Sequence, residues 1–314
     1  MIHLSAVTAH AAPYGVSSVS LELGAGVHVL LGAPVDGVAV LLAVMAGWIR
    51  PRSGKVLVLG GAPALSRRQI AYVPLEPRLP PSLRVTEVLD LAARIRGESP
   101  EPRGRRLASL GIEPLADRWT HSLTLPEARA VLLAEAVTSR ARVVLVDEPR
   151  MEMDPRAERA LATVLRECAA GGRAVVLSTS SPRDATDLSS SLWVFSVGRL
   201  MGTAHATDAA AILPAAANRM RVVANDARRL LGALAGEPIF ARVELDQEVL
   251  ILTGSDPMTM AGAVARAALA VDVELHAMRL DTPALDGMRR AVSDLAPARR
   301  APGGLAEIPP AGLP

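Results

Sequence analysis

The residues best placed to do chemistry are two carboxylates at the end of an all-apolar run, Val143-Val144-Leu145-Val146-Asp147-Glu148-Pro149. Four aliphatic residues in succession read as a short strand buried on both faces of a parallel sheet. Such a strand delivers Asp147 and Glu148 to the carboxyl edge of the sheet, where open α/β folds bind ligands. Taken alone, the segment also fits a buried strand ending in a solvated Asp-Glu-Pro turn. Cationic chemistry is narrowly constrained. Of the 34 lysine and arginine residues only Lys55 is a lysine, so any step that needs an ammonium group uses Lys55 or does without. Cys168 is the single cysteine, which excludes an internal disulfide and a thiolate zinc cluster and suits a reducing compartment.

These side chains must be positioned by something, and the elements around them are legible. Short aliphatic strands at 18–23, 27–31, 55–59, 143–146, 174–178 and 192–197 alternate with helical patterns at 38–46, 85–96, 125–138 and 155–170. That alternation predicts an α/β domain with a largely parallel core. The apolar stretch 27–49 is interrupted by Gly32, Pro34, Gly37 and Gly47, so it reads as strand, loop and helix and not as a membrane span. The N-terminus lacks the charged and apolar regions of a signal peptide. Residues 206–218 are alanine-rich and weakly patterned and read as a junction. Beyond it the order strand 220–224, helix 226–234, strands 239–245 and 248–253, helix 258–270 and strand 273–280 predicts a small ferredoxin-like α+β domain over 219–295. The Pro/Gly-rich tail 296–314 reads as disordered.

Half the residues are hydrophobic and only 2% are aromatic, so the core is aliphatic, and 314 residues suggest two domains. The net charge is +2, and basic residues are not interleaved with aromatics, which argues against nucleic-acid binding.

The segment Val143–Pro155 resembles the Walker B motif and D-loop of ABC-transporter ATPases, with Met153, Asp154 and Pro155 at the Leu-Asp-Pro positions of the D-loop. Other motifs fall in register. Ser53-Gly54-Lys55-Val56-Leu57-Val58-Leu59-Gly60 resembles the strand after the phosphate-loop helix. Residues 70–77 resemble the entry to the Q-loop, and 83–87 the helix start beyond it. Leu123 lies 24 residues before Asp147, the family's interval from the signature leucine, and Ser178-Thr179 stands where Ser-Thr-His is usual. The resemblance covers residues 1–205, with a helical subdomain at about 78–138. The second unit, ending in Pro283-Ala284-Leu285-Asp286, resembles the C-terminal domain of ATP-binding subunits of type-2 ABC exporters. The implied fold is an ABC-ATPase α/β mixed sheet with a helical subdomain, plus the small ferredoxin-like unit.

The same resemblance exposes what is missing. The phosphate loop of the family supplies backbone N–H groups, a lysine for the outer phosphates and a hydroxyl for Mg²⁺. In register this chain has Gly32, Ala33, Pro34, Val35, Asp36, Gly37, Val38, Ala39 and Val40. Val38 replaces the lysine, Ala39 the hydroxyl and Val35 a glycine. Asp36 places a negative charge where the polyphosphate would lie. The signature reads Leu123, Thr124, Leu125, Pro126 and Glu127, in which leucine and proline replace both glycines and Glu127 adds a carboxylate facing phosphate. Leu75 stands at the Q-loop glutamine and Ser180 at the switch histidine. The adenine-stacking aromatic falls at His10, with Tyr14 nearby. By the resemblance, Asp147 is the Mg²⁺ contact, if any metal binds, and Glu148 the general base.

The expectation is a pseudo-ATPase, with no tightly bound nucleotide, acting as scaffold or regulatory subunit of an export complex. Its partners would be a membrane-spanning permease and, as homodimer or heterodimer, another ABC ATPase-like subunit, with the chain cytoplasmic and peripheral at the inner face of the membrane. Two alternatives remain open: a working Mg-ATPase with an unconventional loop, and a soluble interaction protein without a transporter.

Overall fold

The computed structural model describes residues 1–99, 105–151, 153, 155–205, 218–254 and 257–281. The Asp154 position of the D-loop, most of the junction, the Pro283–Asp286 motif and the tail lie outside the described residues.

The first 205 residues build two sheets around a buried helix. Strands β1 (Ile2–Ala11), β2 (Tyr14–Leu23) and β4 (Ser53–Val58) form an antiparallel sheet in the order β2-β1-β4. The main sheet has the order β5-β6-β7-β3-β8-β9, comprising β5 (Ile70–Val73), β6 (Val143–Asp147), β7 (Ala174–Thr179), β3 (Gly26–Leu31), β8 (Ser191–Ser196) and β9 (Arg199–His205). Its first five strands are parallel, and β9 returns antiparallel on the edge. All residues of β6 and β7 are buried, as their unbroken aliphatic runs require. This is the α/β mixed sheet expected of an ABC-ATPase fold.

Helix α1 (Val38–Met45) lies between the two sheets and buries seven of its eight side chains, so it has no polar face. On the opposite face of the main sheet, α2 (Val85–Arg96), α4 (Leu125–Thr138) and α5 (Pro155–Ala170) share a second aliphatic core with β3, β6 and β7. The short helices α3 (Arg105–Ala108) and α6 (Pro182–Leu188) complete this layer.

Residues 218–281 form a four-stranded antiparallel sheet of β10 (Asn218–Ala224), β11 (Phe240–Asp246), β12 (Val249–Gly254) and β13 (Leu275–Asp281), in the order β11-β12-β10-β13. Helices α7 (Ala227–Leu234) and α8 (Pro257–Ala270) share its separate core around Met220, Val222, Leu230, Leu252 and Val264. The strand order and the two helices make this a ferredoxin-like arrangement.

Three strands escape the sequence reading. The four-residue β5 is too short to stand out from the Q-loop entry at 70–77. In β1 the buried residues run Ile2, Leu4, then Val7 and Ala9, because a register shift between Leu4 and Val7 puts exposed Ala6 at φ 49° and breaks the alternation. The edge strand β9 has only Ala204 buried, so it carries no apolar face to recognise. Val197, read as strand, instead sits in the β8–β9 turn with Gly198, at φ 47° and 75°. Two positive φ values are those of a tight I′ hairpin turn, and a β-branched residue there is strained.

Candidate functional site

The carboxyl edge of the main sheet brings together the loops after β3, β6 and β7. After β6, Asp147 is buried and its Oδ1 accepts the Ser178 hydroxyl at 2.5 Å. Glu148 turns at φ 46°, and its carboxylate accepts the Ser180 N–H at 2.8 Å and the Thr179 hydroxyl at 3.1 Å. Burial pushes both carboxyls above their ordinary values, against the hydrogen bonds that oppose it. Tyr72 on β5 is likewise raised, first by burial and then by the charge of Asp147. The structure thus brings Asp147, Glu148 and Ser180 together, with the Ser180 backbone and side chain both favouring the charged Glu148 carboxylate.

The main contributor missed in the sequence is Arg129 on α4. It is 2% exposed, and its guanidinium donates to the carbonyls of Pro74 (3.0 Å), Leu75 (2.8 Å), Asp147 (2.7 Å) and Glu148 (2.6 Å). One side chain therefore joins the Q-loop position to the two carboxylate residues. A sequence signal existed: Arg129 is in phase with the buried Leu133, Ala136 and Val137, one charge on an otherwise apolar stripe.

The loop after β3 is organised differently. Residues Pro34–Asp36 form a 3₁₀ turn, and Gly37 at φ 70° passes the chain into α1. Gly32 N–H donates to the Thr179 carbonyl, Asp36 N–H to Ala33 and Gly37 N–H to Pro34, at 3.0, 2.9 and 3.1 Å. Asp36 is fully buried. Its Oδ2 accepts the Ala33 N–H at 2.7 Å, and its Oδ1 accepts the N–H of Val197, in the β8–β9 turn, at 2.6 Å. This charge is folded inward and bonded to the chain's own backbone. Val38 is 4% exposed within the core of α1, Ala39 and Ala33 are half-buried, and Val35 is exposed.

The signature-like segment is organised around its own helix start. Thr124 caps α4, with Glu127 N–H directed at its hydroxyl at 3.4 Å. Glu127 reaches back to the Thr124 N–H at 2.8 Å and pairs with Arg118 at 2.5 Å. This is a capping box. The carboxylate expected to face phosphate is therefore held at its own helix start, and the Thr124 backbone N–H holds it below the usual glutamate range, with Arg118 adding to the effect. Pro126, Glu127, Arg129 and Ala130 share a cleft of about 230 Å³ with Met151 and Met153, so the start of α4 and the segment after Glu148 lie side by side. Leu125 is exposed and Leu123 packs against the core. His10 and Tyr14 end the β1–β2 hairpin, both exposed. Lys55 is exposed on β4 opposite Ser5, remote in sequence and sheet from the loop. Among the described residues no group of three or more His, Cys, Asp or Glu could hold a metal ion.

Residues 16–151 match the family described as ABC transporter. The N-terminal unit is similar to ABC-transporter ATP-binding domains and has their fold. A ribose/galactose/methyl galactoside import ATP-binding protein of Rhizobium meliloti is 32% identical over 213 residues, which is 63% of this chain but 42% of that protein. A cobalt import ATP-binding protein of Rhodobacter capsulatus is 32% identical over 185 residues, 55% of this chain and 66% of the relative. The chain thus spans less than two thirds of the length of either. A solved ATP-binding subunit of an ABC transporter superposes with a TM-score of 0.61 at 23% identity, over 66% of this chain and 91% of that one, a likeness of fold. Among the described residues no helix is long and apolar enough to cross a membrane.

Proposed function

We propose that the chain is a pseudo-ATPase, an ABC ATP-binding domain that serves as scaffold or regulatory subunit of a membrane transport complex. The observation that carries the reading is the loop after β3. Its Gly32, Ala33, Asp36 and Gly37 N–H groups all have acceptors within the chain, and one of those acceptors is the buried carboxylate of Asp36. A phosphate would have to displace an anion already in contact with the backbone, with an aliphatic side chain at the lysine position and none that bears oxygen at position 39. Two like charges at about 4 Å cost roughly 4 kcal/mol at an effective dielectric near 20, against an equal gain from a lysine. These residues do not fit a magnesium nucleotide. The carboxylate of Asp147, the Mg²⁺ contact by the resemblance, is engaged by Ser178.

The partners proposed are a permease subunit and a second ABC-type subunit, at the inner face of a membrane. The two relatives named above are import proteins, whereas the ferredoxin-like second unit is the feature that resembles type-2 exporters; the export assignment rests on that unit alone. Isothermal titration of the full chain with Mg-ATP tests the reading. No heat of binding at micromolar to low millimolar nucleotide is expected, and micromolar binding with phosphate release would overturn it. In that event the retained Asp147–Glu148 pair makes a working ATPase with an unconventional loop the next reading. Recovery of the chain in cytosol without membrane would instead favour a soluble interaction protein.

A further inference from the structure

The loop after β3 has an anion in it, and the chain supplies that anion. Asp36 Oδ2 lies 2.7 Å from Ala33 N, at charge-assisted hydrogen-bond distance. Its side chain also lies over Gly32: a Cβ built on Gly32 would come within 3.1 Å of Asp36 Cβ and 3.3 Å of Oδ2. The space above Gly32, open to a ligand in a loop of this kind, is occupied by this carboxylate and by Val38 Cγ1 at 3.0 Å. Asp36 Oδ1 meanwhile takes the N–H of Val197, a β-branched residue in left-handed backbone with 78% of its surface exposed. Nothing about an exposed valine favours that conformation, which is strained without a compensating contact. The hydrogen bond from a buried carboxylate is such a contact.

We infer that Asp36 is a built-in phosphate surrogate: its carboxylate takes the Ala33 N–H over Gly32 and locks the loop shut against the β8–β9 turn. The inference rests on the pseudo-ATPase reading and deepens it, because it assigns the block to an occupant that can be removed and not only to the missing lysine. A tethered anion at effectively fixed position competes with any free phosphate without dilution. Release of the loop therefore requires Asp36 to let go of Ala33 and Val197 together.

The test uses the full chain and inorganic pyrophosphate with Mg²⁺ as probe, followed by titration calorimetry. Asp36→Gly and Asp36→Ser are each compared with the native chain, with thermal melting as the control for folding. We expect both variants to bind pyrophosphate about 10–100-fold more tightly than the native chain, the range set by one or two charge-assisted hydrogen bonds made available. Folded variants that bind no better than the native chain would overturn the inference. A second measurement covers a variant that does not fold: in Asp36→Asn, the Ala33 and Val197 amide protons should both move upfield as their partner loses its charge. If both amides stay where they are, the carboxylate is not their acceptor and the inference fails. The pseudo-ATPase reading is judged separately, by Mg-ATP binding to the native chain, so either can fall without the other.

Discussion

After β6 the sheet edge carries a connected polar network; after β3, two strands away, it carries an aliphatic helix start and one carboxylate turned on its own loop. Both stretches bury charge, but they satisfy it in different ways. Asp147 and Glu148 are bonded to side chains and backbone of the β7 edge, and their carbonyls are gathered by Arg129 from α4. Asp36 is bonded only to backbone N–H groups among its hydrogen bonds given above, one of them 161 residues away in sequence. The first arrangement joins four segments and could still accept a ligand's charge by rearranging hydroxyls. The second is closed on itself. The difference teaches that the edge after β6 and the loop after β3 are each locally self-consistent, as foldable sequences require. Asp36 and Val38 are part of how the domain holds together.

The contrast can be broken most forcefully at Arg129. Replacing it with methionine leaves four carbonyls without their donor in a buried setting, and we expect a loss of about 3–5 kcal/mol in urea unfolding. A loss below about 1 kcal/mol would mean that the network after β6 is incidental. Asp36→Ala should cost less, about 2–4 kcal/mol, because two charge-assisted bonds go while the N–H groups gain access to water. If Asp36→Ala is neutral, the two sides of the edge do not differ as described.

Smaller effects sharpen the comparison. Burial raises the Asp147 and Glu148 carboxyls, so the folded chain holds their protons to higher pH than the unfolded chain does. Their contribution to stability is therefore greatest below the ordinary carboxylate values and declines as pH rises through the raised ones. Glu148→Gln should flatten that decline in unfolding measured from about pH 4 to 7, since an amide can still accept from the Ser180 N–H. An unchanged slope would assign the pH dependence elsewhere. At the start of α4, Thr124→Ala removes the cap and should cost about 1 kcal/mol by thermal melting. That outcome would establish that the signature-like segment serves its own helix.

Much of this was legible in the residues, and the reason is local periodicity. The helices at 85–96, 125–138 and 155–170 appear with the expected bounds, and the βαββαβ order of the second unit is realised in its strand pairing. β1 was hidden because the bulge at Ala6 changes which residues face the core partway along. The hydrogen bonds of Asp36 and Glu127 were hidden for a different reason. A motif position says where a side chain starts, and both carboxylates turn back toward backbone donors that spacing does not reveal. Glu127 could have been recognised from Thr-x-x-Glu before an apolar run. Asp36 could not, since its second partner lies on the far side of the domain's sequence.

The burial of Val38 ties the start of α1 to the loop before it. A lysine there would place its charge in an aliphatic core, beside a carboxylate already committed to Ala33 and Val197. The two positions are therefore coupled: a double substitution is expected to depart from the sum of the single ones, as it does for residues that share a packed neighbourhood.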